Sequence, residues 1–391
     1  RIEKDYTDGR HPDKVEYASK IEEDLSRRDF TMNAIAASLA DGSIVDPFGG
    51  QIDIQQKTIR TVGNPLERFS EDGLRPVRAL RFAAQLGFEI EPETLKAIPV
   101  TNHITKGISI ERFRDEFVKM LKSPKPSVAL NLMGKTGILK IFLPEFAGCR
   151  NVLQKDIRGF HSFDVLDHLI YALDGVVLAS KNQASVELRL ASLFHDIGKP
   201  AAKKVEKRPY FKDGKETMED FNTFHGHEYP SAKIAKNVLT RLRFPNDTIK
   251  YVVHLVENHM FHYESTWQES AIRRFIAKHN TQILPFPEVL QDLFYLRQAD
   301  AYGKDGDEKV FTEGKWIENL SEFKSRIDKE LENQVAFSLK DLAVSGKDLI
   351  EAGFPAGKKM GEVLNGLLEK VLENPEINTK ETLLDLAKGM F

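Results

Sequence analysis

Cysteine is nearly missing from this sequence. Cys149 stands alone among 391 residues, which excludes an internal disulfide and a cysteine-rich zinc site and fits a reducing cytoplasm. Long apolar runs are missing too. None reaches the roughly 18 residues that a membrane helix needs, and the charged opening residues form no signal-peptide core. No membrane partner is expected. An excess of one charge is also absent. Lys and Arg number 56 against 59 Asp and Glu, a net charge of −3. Contact with nucleic acid must therefore come from local basic patches, not from a global field. There is no internal repeat and no low-complexity segment. What is present is the composition of a soluble globular chain, 41% hydrophobic and 29% charged, long enough for roughly two to four domains.

Residues 1–65 read as strand-rich. The opening "RIEKDYTDGRHPDKVEY" places Ile2, Tyr6, Val15 and Tyr17 in a strand-like pattern that needs neighbours. "MNAIAASL", "DGS" and "IVDPFGG" predict two short strands around an Asp-Gly turn. From Pro65 the pattern turns helical. "PLERFSEDGLRPVRALRFAAQLGF" predicts a helix interrupted at Gly73 and Pro76 and stopped by Gly87. "SIERFRDEFVKML" predicts a helix capped by Ser109. "LRLASLFHDIGKP" predicts a third, closed by Gly198 and Pro200. Residues 201–224 read as a polar, exposed excursion. Three or four helices are expected over 225–305, and a helical tail broken by "GFPAGKKMG" over 338–391.

Asp72, Arg75, Arg78 and Arg81 recur every third residue. On a helix this makes a slowly rotating stripe of guanidiniums with a carboxylate at one end. Two readings are open. One is an ion-paired, solvated helix face. The other is an anionic ligand with a hydrogen-bonding edge, such as a nucleotide, whose phosphates suit arginine forks.

"IEEDLSRRDFTMNAIA", "DPFGG", "EDGLRPVRALRFAAQLGF" and "SIERFRDEF" occur in an order that resembles the class II tRNA nucleotidyltransferases, the CCA-adding enzymes, and their relatives the bacterial poly(A) polymerases. "YTDGRHPDKVEY" resembles that family's mobile loop. The resemblance covers most of the chain. It implies that Arg27, Arg28 and Asp29 hold the incoming nucleotide, and that Asp72 and Arg75 hydrogen-bond the Watson–Crick edge of CTP or ATP as a protein template. Glu71 would orient Arg75, and Arg78 and Arg81 would lie near the triphosphate. Gly73 stands where family members often have Pro. Nucleotidyl transfer with Mg²⁺ further implies an Asp-x-Asp pair behind a Gly-Gly…Arg-Asp turn, upstream of the position of Arg1. That tandem is not found in these residues; the favoured expectation is that the segment carrying it precedes them, the alternatives being that it was lost or is supplied by another chain. Asp46 and Asp53 are poor substitutes because they match a downstream motif, seven residues apart. Glu3 is a weak candidate to support the metal site, with Asp5 as another.

"LFHDIGKP" sets His195 beside Asp196, a pair suited to a hard or borderline divalent ion. His168, His227, His259 and Asp300 are set in amphipathic segments from which helices could aim them inward. The set resembles the HD phosphohydrolase superfamily. The resemblance implies one or two divalent ions of the Mg, Mn, Ni or Co class and hydrolysis of phosphomonoesters or phosphodiesters. His168, His195, Asp196 and Asp300 match the ligands of one ion; His227 and His259 match the extra ligands for a second. Lys199 reads equally as a phosphate contact and as a solvated lysine at a helix end. His161, His225, His254 and His262 read as surface or structural histidines. In the tail, Gly353, Gly357 and Gly361 read as preceding a helix start where Lys358 and Lys359 could seat an RNA phosphate. A plain helix-turn with solvated lysines is the other reading.

The expected fold is α+β: an α/β nucleotidyltransferase head over 1–65, a helical neck with base recognition over 66–145, an HD body over 146–305 and a helical tRNA-binding tail over 306–391. The expected function is addition of C and A to tRNA 3′ ends from CTP and ATP, with a linked HD hydrolase. The rivals are a poly(A) polymerase or a CC- or A-adding enzyme, a metal-dependent hydrolase with an RNA-binding head remnant, and an inactive RNA-binding module.

Overall fold

The computed structural model describes residues 2–4, 14–16, 20–154, 162–212, 215–281, 285–333 and 335–390. The mobile-loop reading of 6–17 and the reading of His161 fall largely or wholly outside these residues. Helices dominate, and the described strands form four two-stranded sheets. The fold is α+β, as the sequence implies.

In the first region Ile2–Lys4 pairs antiparallel with Lys14–Glu16. The Asp-Gly hairpin forms as expected, with Ala36 opposite Val45. Its small core is Leu25, Ala34 and Val62 with Phe48 against them. Asp46 accepts from the amides of Gly50 and Gln51, and Asp53 accepts from the Thr31 hydroxyl and Arg60. Both carboxylates are thus used in structure.

Asn64 caps the Pro65–Glu71 helix by accepting from the amides of Leu66 and Glu67. The next helix, Leu74–Leu86, buries Leu74, Val77, Leu80, Ala83 and Ala84, the spacing of one helical face. The break falls at Asp72, whose backbone is extended, and Gly73 leads into the second helix. A Cβ there would lie 2.8 Å from the Ile104 carbonyl oxygen, so this contact requires glycine. Pro76 lies in the first turn, where its missing N–H costs nothing, and interrupts nothing. The helix stops at Gly87 in the left-handed region, φ 65°. Ser109 precedes the Ile110–Leu121 helix as its N-cap. That helix packs through Phe113 and Phe117, with Phe113 stacked on Phe142 at 3.9 Å.

Four helices, Val165–Ala179, Val186–Phe194, Asn246–Asn258 and Glu288–Tyr302, form the centre of the body. One apolar core runs from Phe30 through these helices to Leu372. The "HDIGKP" segment differs from expectation. The helix ends at His195, and Pro200 opens a new short helix, Lys199–Ala202, because proline suits a first turn. The polar excursion is also different: Lys204–Lys212 and Lys215–Thr223 make a hairpin with Lys204 opposite Thr223. Its only fully buried side chain among those described is Phe221, so it carries little of the apolar alternation that marks a strand. Beyond it, the Glu228–Arg241 and Glu269–His279 helices bring the number over 225–305 to four, where three or four are expected.

The tail has its own core of Val344, Leu349, Val363, Leu367, Leu383 and Ala387. Gly353 and Gly357 have positive φ before the Lys358–Glu373 helix, whereas Gly361 lies inside it. No helix among the described residues is long and apolar enough to cross a membrane.

Candidate metal centre and nucleotide cavity

The body helices bring His168, His195, Asp196 and Asp300 together, and place His227 and His259 beside Asp196; all six are buried. His168 and Asp300 come from within helices. His195 and His259 follow the last turns of their helices, and His227 precedes the first turn of its own. Each of these three donates Nδ1–H to the carbonyl three residues earlier. The acceptors are Ser192, Phe224 and Val256, each at 2.8 Å. This pattern assigns the tautomer and leaves the Nε2 lone pairs facing inward.

The inward atoms crowd. His168 Nε2 lies 3.0 Å from His195 Nε2, and His227 Nε2 lies 3.3 Å from His259 Nε2. Asp196 spans the two groups. Its Oδ2 is 2.9 Å from His168 and 3.3 Å from His195, while its Oδ1 is 2.8 Å from His227 and 3.5 Å from His259. Apart from these rings, the Asp196 carboxylate meets only the Lys199 ammonium, on Oδ2, among the described residues. Buried carboxylate oxygens and imidazole nitrogens aimed at one another fit a divalent cation, and the shared carboxylate fits two.

A proton competes with a cation for the inward position of His195. Burial opposes charge on His195, but Asp196 and Asp300 outweigh it and push the imidazole up to about 10. Burial would also raise Asp196, but His195 and Lys199 hold it well below the usual carboxylate range. Lys199 is buried, not solvated: its ammonium rests on Asp196 and on Gln154 Oε1. Arg297 donates to Asp300 at 2.8 Å. Gly303 matters here, because a Cβ would lie 2.8 Å from the His168 carbonyl and 3.0 Å from its Nδ1. A cavity of about 620 Å³ opens onto the centre, with Arg208 of the hairpin and Lys304 in its wall. His225 and His262 are exposed, whereas His254 pairs with buried His279 at 2.8 Å.

A second cavity of about 480 Å³ is lined by Arg27, Arg28, Asp29, Asp72, Arg75 and Arg78 among others. Its polar groups are already engaged. Arg78 donates to Asp29 at 2.7 Å, and Asp29 also accepts from Asn33. Arg75 is held by Glu71 at 2.5 Å and by the carbonyls of Arg68 and Arg27. Arg27 and Arg28 share Asp24. Asp72 caps the Leu74 amide through Oδ1 and meets Arg112 at 2.7 Å through Oδ2. Arg112 and Phe82 line the cavity but were not singled out in the sequence. Arg112 lies one turn into "SIERFRDEF", a motif with no residue role attached to it.

Arg81 is not in this cavity. It is buried against Glu116 at 2.6 Å with its guanidinium over the Phe82 ring at 3.6 Å. Six residues turn a helix by about 600°, so Arg81 projects about 120° away from Arg75 around the Leu74–Leu86 helix. Glu3 lies in the strand Ile2–Lys4, opposite Val15. Asp305-Gly306-Asp307 matches Asp-x-Asp in letters, but it forms a turn in which Asp305 accepts from the Asp307 amide and Asp307 from that of Lys309. Lys358 and Lys359 are exposed at the start of their helix.

Sequence models of known families match four stretches. They are the poly A polymerase head domain at residues 1–60, the "Probable RNA and SrmB-binding site of polymerase A" at 87–149, the HD domain at 159–302 and tRNA nucleotidyltransferase domain 2 at 308–387. An A-adding tRNA nucleotidyltransferase of Deinococcus radiodurans is 32% identical over 91% of this chain and 76% of its own. A CCA-adding enzyme of Ligilactobacillus salivarius is 30% identical over the full chain and 77% of its own. Among solved structures, the Bacillus stearothermophilus CCA-adding enzyme in complex with CTP superposes with a TM-score of 0.62 at 25% identity, over 95% of this chain and 75% of that one. Nucleotidyltransferase heads and HD domains alike use divalent metals. The chain belongs to the class II tRNA nucleotidyltransferase and poly(A) polymerase family, and it carries that family's head and an HD domain.

Proposed function

We propose that this chain acts in template-independent addition of C and A to tRNA 3′ ends, from CTP and ATP, and carries a second, hydrolytic centre. The observation that carries the first part is the joint presence of Asp72 and Arg75 in one cavity beside the Arg78–Asp29 pair. Cytosine and adenine each present an amino donor next to a ring-nitrogen acceptor. Asp72 keeps lone pairs for the amino group, and Arg75, fixed by three partners, donates to the ring nitrogen. Guanine and uracil present a carbonyl and a ring N–H there, which sets oxygen against carboxylate and donor against donor. Arg27, Arg28 and Arg78 supply charge for the sugar and phosphates. Arg81 acts only through its contact with Phe82. Mg²⁺ is the ion proposed for transfer. Asp46, Asp53 and Asp72 are committed to caps and ion pairs, so none is assigned to it. Glu3 is at most a supporting carboxylate.

For hydrolysis, His168, His195, Asp196 and Asp300 would hold one divalent ion of the Mg, Mn, Ni or Co class, and Asp196, His227 and His259 a second. Such ions polarise a phosphoryl oxygen and make water a better nucleophile. Lys199 and Arg297 keep the two carboxylates ionised and oriented. The domain division proposed above, 1–65, 66–145, 146–305 and 306–391, runs alongside the four matched stretches. Lys358 and Lys359 are proposed as phosphate contacts for tRNA.

The similarity to an A-adding relative over most of the chain favours one further reading, addition of A alone. Extension of tRNA ending before C, after one C and after two C, with CTP or ATP, separates the two. Use of both nucleotides supports C and A addition. Extension of the CC end alone gives the A-adding reading, and long A tracts give a poly(A) polymerase.

A further inference from the structure

A smaller hollow of about 260 Å³ lies next to the metal-centre cavity, and the two share Arg297, Asp300 and Lys304 in their walls. Its other lining includes the aromatics Phe261, Tyr263 and Trp316 and the Asn319 amide, with His262, Ala301 and Leu320 beside them. Trp316 and Asn319 are three residues apart on the Lys315–Glu332 helix, so they share a face. Phe261 and Tyr263 are occupied, each packed against Phe323. Trp316 is half-buried: it packs against the apolar core, lines the hollow and contacts no other aromatic ring among the described residues. Neither the Asn319 amide nor the Lys304 ammonium has a hydrogen bond or an ion pair there, whereas Arg297 is committed to Asp300. The hollow is smaller than the roughly 300–1,000 Å³ of sites for drug-sized ligands, which suits one planar heterocycle. A tryptophan in the wall, a donor–acceptor amide and a cation beside the metal-centre cavity match the three parts of a nucleoside phosphate.

We propose that this hollow is a nucleobase subsite of the hydrolytic centre, taking the terminal nucleoside of an RNA 3′ end. The base lies against Trp316, its edge meets Asn319, and Lys304 meets the phosphate as it passes to Asp196 and Asp300. The proposal rests on the hydrolytic reading above. With a 2′,3′-cyclic phosphate, water forms a new P–O bond and one ribose P–O bond breaks. The freed ribose oxygen takes the proton, leaving a monoester on the other hydroxyl.

The test compares Mn²⁺-loaded protein on adenosine 2′,3′-cyclic phosphate and on its base-free counterpart, 1-O-methylribose 2′,3′-cyclic phosphate. The quantity is the ratio of their kcat/KM values. The expected ratio exceeds about ten, the factor a base stack contributes. Trp316→Ala should lower it about tenfold through KM, Trp316→Phe should keep most of it, and Asn319→Ala should lower it less. A ratio near one in the unaltered protein overturns the subsite while leaving the hydrolase standing. A ratio unmoved by Trp316→Ala also overturns it. A short RNA with a 2′,3′-cyclic end should surpass the mononucleotide in kcat/KM; no gain would overturn the assignment to an RNA end. A second readout needs no turnover. In EDTA, adenosine 2′-monophosphate should quench tryptophan fluorescence saturably, ribose 5-phosphate should not, and Trp316→Phe should abolish the effect. Quenching without hydrolysis of either ester sinks the hydrolytic reading and keeps the subsite as a nucleotide site. No quenching overturns the subsite.

Discussion

The two cavities solve opposite problems. In the metal centre, inward-facing imidazole nitrogens crowd the Asp196 and Asp300 carboxylates, and the Asp196 carboxylate meets only those rings and the Lys199 ammonium among the described residues. In the nucleotide cavity, the guanidiniums and carboxylates already have protein partners. The first is built around an ion and is incomplete as protein alone. The second is preorganised, so a nucleotide adds to pairs that stand without it. Loss of one ligand should therefore be drastic in the first and graded in the second.

The largest expected effect is that of Asp196→Asn. The carboxylate touches both ligand groups, so the variant should lose bound Mn²⁺ by elemental analysis and its phosphodiesterase activity should fall to background. Incorporation of CTP and ATP should persist, since the other cavity shares no residue with this one. A folded variant that loses both activities would end the picture of two independent sites. Arg75→Ala is the reverse experiment. Removing one base-reading group should cost about 1–3 kcal/mol, roughly 5- to 150-fold in kcat/KM for CTP and ATP. Discrimination against GTP and UTP should relax while hydrolysis is retained. Equal loss for all four nucleotides would show that Arg75 grips phosphate and does not read the base.

The contrast also explains what could be read from the sequence. Metal ligands are restricted to few residue types, so His168, His195, Asp196, His227, His259 and Asp300 stood out, and the structure brings all six together. Charged residues in the nucleotide cavity are common types whose meaning depends on direction. Asp72, Arg75 and Arg78 share a cavity, but Arg81 does not, because a three-residue repeat drifts around the helix by about 60° at each step. Arg112 and Gln154 were invisible since their partners, Asp72 and Lys199, are 40 and 45 residues away in sequence. Lys199 reads as a solvated lysine or a phosphate contact although its partner Asp196 is three residues away, because its burial is not visible along the chain. The Lys204–Thr223 hairpin was hidden by cross-strand pairs such as Lys207 with Asp220 and Arg208 with Glu219. These pairs stabilise a sheet but resemble a loop when read along one strand.

A third pair of histidines sharpens the comparison. His254 and His279 meet at 2.8 Å like the rings of the metal centre, but no carboxylate is in contact with them among the described residues. Burial, then the charge of Lys278, holds His254 down to about 4. Burial, then His254 and Lys278, holds His279 down to about 3. Both rings are neutral in the folded chain near pH 6, where the unfolded chain begins to take up protons. Their contribution to stability is full above about pH 6.5 and is lost as pH falls toward 4 and 3. The slope has an upper bound of about 1.4 kcal/mol per pH unit for each ring. In EDTA the melting temperature should fall through this window, and the double variant His254→Gln, His279→Gln should show a shallower fall. An unchanged slope would place the acid sensitivity in the metal centre.

Arg112→Ala should have the smallest effect, and its size is informative. Arg112 is about half exposed (49%) and Asp72 about a third (32%). Such a pair contributes roughly 0–1 kcal/mol to stability, because water competes for both partners. The melting temperature should therefore barely move. Asp72 would keep its bond to the Leu74 amide, so its position along the chain would hold while the direction of Oδ2 would loosen. The expected result is at most a fivefold rise in KM for CTP and ATP, the factor equivalent to about 1 kcal/mol, with kcat nearly unchanged. A loss as large as that of Arg75→Ala would mean that Arg112 itself touches the nucleotide. In that case the cavity would read its ligand from two helices, Leu74–Leu86 and Ile110–Leu121, and the base-reading unit would be three residues instead of two.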